Sequence, residues 1–560
     1  MRMTGALLTL LNATTLAAYT ASGLWGNKTI YAIAARHARA TPNAFAVRDL
    51  KRRLTYPALI EAADRLAASL AGNGVRSGER VAVWLPSRVE TATALLACSR
   101  NGYVCCPSLH RDHRVAEVMA LVDRMRAAAV IAQPGYGIDA DQQDVFAQLA
   151  DRDFVRAVYR IGPADLATAP FGDLTGSAVD VPVSGDANQI MYLPFTSGTT
   201  GQPKGVLHSD NTLLATARMM VRDWQLERSV LYTFSPLSHN LGLGALITAL
   251  SGGGELVVHD LPRGHSLLDR LEETGAAFLF GVPTHAIDLL SEMRERRVER
   301  LGAVRGFRIS GAAAPVSVVT ELMRYGVVPQ NGYGMTETCS HQYTLPDDRP
   351  ERIIYTCGRC CEGYEIRIWR QDNPDVAAAP GEIGQIGGRG ASLMLGYFDD
   401  QAATEAAFNA QGWFMTGDLG WMDDAGYLRI TGRLKDVIIR GGRNIYPARI
   451  EALAMGHDAV ERAAAFAVAD PRLGERVCLA VVARKDMEAE PGAILRHLDL
   501  AGLPQYDMPE FILPLEEMPL TASGKVIKRE LARWVEEGRI RPLPVRFRSL
   551  TQAGASSVRG

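Results

Sequence analysis

Twelve consecutive residues, Phe195-Thr-Ser-Gly-Thr-Thr-Gly-Gln-Pro-Lys-Gly-Val206, hold three glycines, four hydroxyls and one lysine. Glycine lets backbone N–H groups approach phosphate oxygens, hydroxyls add donors, and Lys204 adds positive charge. The segment therefore predicts a phosphate cradle formed by Thr196, Ser197, Gly198, Thr199, Thr200 and Lys204. The spacing from Gly198 to Lys204 does not fit the GxxxxGK(S/T) loop. A second segment, Asn331-Gly-Tyr-Gly-Met-Thr-Glu-Thr338, sets Tyr333 between two glycines, where its ring can stack on a base. Thr336 offers a hydroxyl to an α-phosphate, and Glu337 offers a hard oxygen ligand suited to Mg²⁺. The same residues also read as a Gly-rich loop before a helix.

Four further segments carry weaker signals. Ser310-Gly-Ala-Ala-Ala-Pro315 suits a flat ring lying against backbone, or a plain strand-to-helix turn opened by Pro315. Asp418, at the end of Trp413-Phe-Met-Thr-Gly-Asp418, is an acceptor-only carboxylate that can take two hydroxyl protons, or a turn residue. In Pro236-Leu-Ser-His239-Asn240, Ser238 or Asn240 can cap the helix that follows. In Pro519-Leu-Thr-Ala-Ser-Gly-Lys525, the lysine follows Ser-Gly and can project from a mobile turn, or be simply solvated.

The elements that must hold these residues alternate along the chain. Leu59, Ala63, Leu66 and Leu70 mark one helical face, and Arg80-Val-Ala-Val-Trp-Leu85 reads as a buried strand. Tyr103-Val-Cys-Cys106 and Ala129-Val-Ile-Ala132 repeat the strand pattern, with an amphipathic helix around Val115–Met125 between them. This alternation predicts an α/β fold with largely parallel sheets. Turn signals from Gly417 to Gly432 precede a smaller unit with strand candidates Ala463–Val468 and Val477–Val482.

Composition narrows the function. Of the 560 residues 47% are hydrophobic and 22% charged, which fits large buried cores, and a net charge of -2 gives no case for nucleic acid as partner. No run reaches the roughly 20 apolar residues that span a bilayer. The N-terminus loosely imitates a signal peptide, but its apolar core from Ala6 to Leu11 is short, so a short helix and a cytoplasmic location are expected. Cys357-Gly-Arg-Cys360-Cys361 has no partner ligand pair for zinc and reads as reduced thiols around a strand. The assembly is left open, with a homodimer as one outcome.

The phosphate loop closely resembles that of the adenylate-forming superfamily, which includes acyl- and aryl-CoA synthetases, peptide-synthetase adenylation domains and luciferases. The remaining segments resemble the family's series in order, over nearly the whole chain. The resemblance implies a large N-terminal domain of layered sheets and helices at 1–434, a small mobile α+β domain at 435–545 and a loose tail at 546–560. It implies adenine contacts from Gly311, Ala312 and Ala313, base stacking by Tyr333, further ATP or AMP contacts from Gly332, Gly334 and Met335, ribose contacts from Asp418, and ribose or phosphate contacts from Arg433. His239 and Asn240 would line the acyl pocket, with His239 also grouped with the catalytic residues Thr336, Glu337 and Lys525. Lys435 would be the hinge, and Arg440, Gly441 and Gly442 would pass the pantetheine arm of CoA. Stretches around Ala21–Trp25 resemble ligases for cyclohexanecarboxylate and medium-chain acids, whereas His110-Arg111 and His239-Asn240 are similar to ligases for hydroxylated benzoates.

The implied activity is ATP-dependent acid:CoA ligation through an acyl-adenylate, with ATP, Mg²⁺ and coenzyme A as cofactors and co-substrates. The expected acid is medium-chain, alicyclic or aromatic, in that order. Rival readings are loading of a carrier-protein phosphopantetheine, a nucleotide-binding regulatory relative, and luciferase-like oxidation.

Overall fold

The computed structural model describes residues 11–162, 170–174, 182–196, 203–262, 264–312, 314–521 and 526–546. The helical face at Leu59, Ala63, Leu66 and Leu70 folds as the helix Tyr56–Gly72, with all four side chains fully buried. Thr55 caps it by accepting from the Ala58 N–H. The strand Arg80–Trp84 pairs in parallel with both Val104–Cys106 and Ala129–Ala132, and the helix Val115–Met125 crosses between the last two. The alternation read from sequence is thus a series of strand–helix–strand crossings.

Among the described residues these strands sit in an eight-stranded sheet. Its order is Gly396–Tyr397, Lys204–Ser209, Ile190–Tyr192, Val104–Cys106, Arg80–Trp84, Ala129–Ala132 and Ala157–Arg160, with Phe195–Thr196 attached to Lys204–Ser209. A nine-stranded sheet has six parallel strands in the order Val328–Met335, Gly306–Ile309, Phe278–Gly281, Val230–Thr233, Glu255–Val258 and Phe45–Arg48. Antiparallel strands close both of its edges. The helices Asp210–Asp223 and Asn240–Gly252 share one core with residues of both sheets, Val81 and Val83 from one and Leu231 and Phe278 from the other. A four-stranded antiparallel sheet, Tyr364–Trp369, Gly384–Gly390, Phe414–Met422 and Leu428–Arg433, follows.

Beyond Asp436 the strands form their own six-stranded sheet, and none of them pairs with an earlier strand among the described residues. Its longest pair, Val460–Asp470 with Gly474–Ala483, contains both strand candidates of that region. Two hydrophobic clusters there draw only on residues from Ile438 onward.

The helix Ala13–Ala21 begins the described chain, and the Trp25 indole is buried and donates to the Ala391 carbonyl at 2.8 Å. No helix among the described residues is long and apolar enough to cross a membrane. Arg359–Cys360 forms an edge strand against Cys339–Tyr343. Burial pushes the Cys357, Cys360 and Cys361 thiols up to about 12, so they stay protonated at neutral pH.

Candidate active site

The two flanks of the Gly- and Thr-rich segment are held as a short antiparallel pair, with Phe195 opposite Gly205 and Thr196 opposite Lys204. The Phe195 N–H donates to Ser108 Oγ at 2.6 Å, and Arg124 donates to the Pro203 carbonyl. Ser197, Gly198, Thr199 and Thr200 lie outside the described residues, as do Ala313 and Lys525. Lys204 Nζ stands 4.6 Å from the centre of the Tyr397 ring, and the Tyr397 hydroxyl donates to Glu337 Oε1 at 3.0 Å. Cation, phenol and carboxylate thus form one chain of contacts. Burial raises the Glu337 carboxyl above its ordinary range, and Tyr397 and Lys204 partly offset that. Sequence reasoning missed Tyr397, which stands 60 residues from its carboxylate partner. It arrives because Gly396–Tyr397 adds to the edge of Lys204–Ser209, pairing Tyr397 with Val206.

Thr336 is fixed from behind. His208, fully buried, places Nε2 2.7 Å from the Thr336 carbonyl oxygen and Nδ1 3.0 Å from Thr212 Oγ1. A carbonyl only accepts, so Nε2 carries the proton. Burial lowers the His208 pKa from 6.5 to about 4, so the folded ring is neutral. Its contribution to stability is complete above 6.5 and is lost as pH falls towards 4. We expect the stability gap between wild type and His208→Gln, from urea unfolding, to shrink over that window. A gap independent of pH would remove the neutral imidazole from the account.

Tyr333, Asp418 and Arg433 converge. Asp418 and Arg433 are cross-strand partners and pair at 3.3 Å, while the Tyr333 hydroxyl donates to Asp418 Oδ2 at 2.9 Å. The segment around Tyr333 is no loop before a helix. It is the end of Val328–Met335, which turns back into the strand Cys339–Tyr343. Gly334 permits this turn, because a Cβ there would lie 1.9 Å from the Cys339 carbonyl oxygen. We expect Gly334→Ala to cost about 2 kcal/mol or more, the scale of overpacking at a site that cannot relax. Chemical denaturation checks it, and an unchanged midpoint would contradict the contact. Gly311, at φ +90°, and Ala312 are exposed at the end of Gly306–Ile309, and Pro315 caps the helix Val316–Arg324.

The helix Asn240–Gly252 has His239 at its cap position, without a side-chain cap bond. Ser238 does not cap it either; its Oγ lies 3.0 Å from His110 Nδ1. The His110 and His239 rings stack at 4.1 Å and 11°, and burial lowers His110 to about 4. Asn240 lines a cavity of about 20 Å³ with Leu213, Met220, Gly244, Phe280 and Cys339. Gly242 lets the helix lie on its own approach segment, since a Cβ there would meet the Pro236 carbonyl oxygen at 2.3 Å.

The remaining candidates follow Arg433 along the chain, and Lys435 still senses Arg433 and Asp418 electrostatically. Lys435 lies in a single helical turn, Leu434–Asp436, between Leu428–Arg433 and Ile438–Arg440. Gly441 and Gly442, at φ +56° and +81°, make the turn between Ile438–Arg440 and Arg443–Ile445. Arg440 pairs with Glu510 at 3.0 Å and donates to the Tyr506 carbonyl at 2.6 Å.

Residues 34–398 match the model of the AMP-binding enzyme family, and residues 449–525 match that of the AMP-binding enzyme C-terminal domain. The chain belongs to the AMP-binding enzyme family. This AMP-binding enzyme is 32% identical over 523 residues to a medium-chain fatty-acid–CoA ligase of Escherichia coli (strain K12), covering 91% of each chain. It is 31% identical over 510 residues to a feruloyl-CoA synthase of an Amycolatopsis species, covering 89% of this chain and 97% of the relative. Among solved structures it resembles ATP-bound MatB from Rhodopseudomonas palustris, with a TM-score of 0.80 and 26% identity, over 91% of this chain and 99% of that one.

Proposed function

We infer that the chain is an AMP-forming acid:CoA ligase acting on a medium-chain, alicyclic or aromatic carboxylic acid. The observation that carries this is the joining of the phosphate-loop lysine to a buried carboxylate, Lys204 to Tyr397 to Glu337, beside the Tyr333–Asp418–Arg433 cluster. One group of residues suits a polyphosphate, the other a nucleoside.

A free carboxylate is a poor electrophile, so the acid must first be activated. Its oxygen attacks the α-phosphorus of ATP in line, the bond to the β-phosphate breaks, and pyrophosphate leaves. Little of this needs covalent help from the protein, so catalysis is mainly positioning and charge stabilisation. Asp418 and Arg433 hold the ribose, Tyr333 stacks on the base, and Gly311, Ala312 and Ala313 line the adenine. Lys204 and the hydroxyls of Thr196, Ser197, Thr199 and Thr200 hold the phosphate oxygens. Thr336 positions the α-phosphate, and Lys525 stabilises the charge that develops there. The CoA thiol then attacks the acyl carbon, and AMP leaves.

The donor set fits Mg²⁺. Glu337 is a buried carboxylate that follows Thr336 in the chain, and no group of three or more acidic, His or Cys residues that could hold a metal exists among the described residues. Magnesium is commonly bound by one or two carboxylates together with substrate phosphates. When bound, it neutralises phosphate charge.

Residues 435–545 form the moving part, turning at Lys435 so that Lys525 serves the first half-reaction and Gly441-Gly442 the second. The separate sheet beyond Asp436 supports this reading. The names of the relatives above, both CoA ligases, favour free CoA over a carrier protein as acceptor. Pyrophosphate release across aliphatic, alicyclic and aromatic acids, with and without CoA, tests the reading. Acid-dependent release with acyl-CoA as product is expected, and its absence for every acid would refute it.

A further inference from the structure

Arg308 is the anomaly beside the cavity lined by Asn240. It lies in the parallel strand Gly306–Ile309 and is fully buried. The other buried arginines among the described residues, Arg52, Arg88, Arg100 and Arg270, each pair with a carboxylate. Arg308 has no such partner. Its Nη1 donates to Gln330 Oε1 at 2.5 Å and lies 3.7 Å from the Met220 sulfur. Its Nε and Nη2, and Gln330 Nε2 beside them, are buried donors without an acceptor. The ionisable groups that act on it are Tyr343, Cys361, Cys357 and His341, and burial holds the phenol, both thiols and the imidazole neutral. Arg308 itself is lowered only to about 10, so it is a cation at neutral pH. The Tyr343 ring, 5.6 Å from the guanidinium carbon, offers it an aromatic face but no acceptor in the guanidinium plane; a buried charge without a counter-ion is among the costliest features a fold can carry.

The bare edge has a definite shape. Nε and Nη2 together form the side of a guanidinium that takes a carboxylate with two parallel bonds. This protein uses that edge in Arg53–Glu255, at 2.8 and 2.7 Å, and in Arg152–Asp123, at 2.8 and 3.1 Å. At Arg308 the strand opposite supplies a glycine. A Cβ on Gly332 would lie 2.6 Å from Nη2, so any side chain there would displace the guanidinium.

The cavity adjoins this group. Met220 lines the cavity and touches Arg308. Phe280 also lines it, and is the register partner of Arg308 on the neighbouring strand. Met220 is a flexible thioether, the side chain type most able to swing aside.

We propose that the acyl pocket ends on Arg308, and that the acid carries a second oxygen acceptor, a ketone or a carboxylate, at the end remote from the reacting carboxyl. This rests on the ligase reading and narrows its substrate class. A plain apolar acid would leave three buried donors unmet, whereas an acceptor-bearing acid would satisfy them.

The test compares cyclohexanecarboxylate with its ring-ketone and ring-dicarboxylate counterparts, measuring kcat/KM for pyrophosphate release by the full chain. Wild type should favour at least one acceptor-bearing acid over the plain one by about tenfold or more, the scale of a hydrogen bond to a charged group. In Arg308→Met that ratio should fall by a similar factor, and Arg308→Lys should restore part of it. A wild-type preference for the plain acid overturns the proposal without any variant, as does a ratio unchanged in a folded Arg308→Met. Activity on the plain acid alone would refute only this inference; no activity on these acids or on the aliphatic and aromatic ones would refute the ligase reading itself.

Discussion

Lys525→Ala is expected to lower acid-dependent pyrophosphate release by about a hundred- to a thousandfold, the usual effect of removing one preorganised donor from a developing negative charge. Transfer to CoA from supplied acyl-adenylate should stay within a few-fold of wild type. The asymmetry follows from the two half-reactions proposed above. The first builds charge on the α-phosphoryl oxygens and needs a cation there, while the second expels AMP from an anhydride already made. Leu520 and Val526, which flank the lysine segment, pair as an antiparallel bridge, and Lys528 is tied to Glu451 at 2.6 Å. The residues on either side of the lysine are therefore anchored within the C-terminal unit, so the substitution is expected to remove a charge without unseating the unit. Equal loss of both half-reactions, measured separately, would contradict this division.

Glu337→Gln should be nearly as severe for adenylation, again about a hundredfold or more, with the fold intact. Glutamine keeps the side-chain volume, and its amide oxygen can still accept from the Tyr397 hydroxyl that now donates to Oε1 at 3.0 Å. What it loses is the negative charge facing Lys204 and a hard anionic ligand for magnesium. The defect should be eased by raised Mg²⁺ if the metal role is right. A variant that melts like wild type and adenylates at the wild-type rate would contradict that role.

Much of the fold was legible because hydrophobic period and turn chemistry agree with it. The face at Leu59, Ala63, Leu66 and Leu70 and the strand Arg80–Trp84 needed no tertiary information. The Asn331–Thr338 segment was not legible as structure. Its glycines suit a loop, yet they serve a strand that turns back sharply at Gly334. Tyr397 and His208 were not legible, because their roles arise from strand pairing and from packing across 60 and 128 residues. No local spacing records such contacts. The Ser238 capping option failed for a similar reason, since a histidine 128 residues away takes its hydroxyl. Arg308 did leave a trace, a lone charge inside the apolar run Gly306-Phe-Arg-Ile309. Only the fold shows that no carboxylate meets it.

The most direct measurement is to incubate the full chain with magnesium, ATP and an accepted acid but no CoA, quench, and identify the bound product by mass. An acyl-adenylate in near-equimolar yield, converted to acyl-CoA when CoA is added, is the predicted result. Nucleotide cleavage that proceeds without acid, or an adenylate that CoA fails to discharge, would contradict the account.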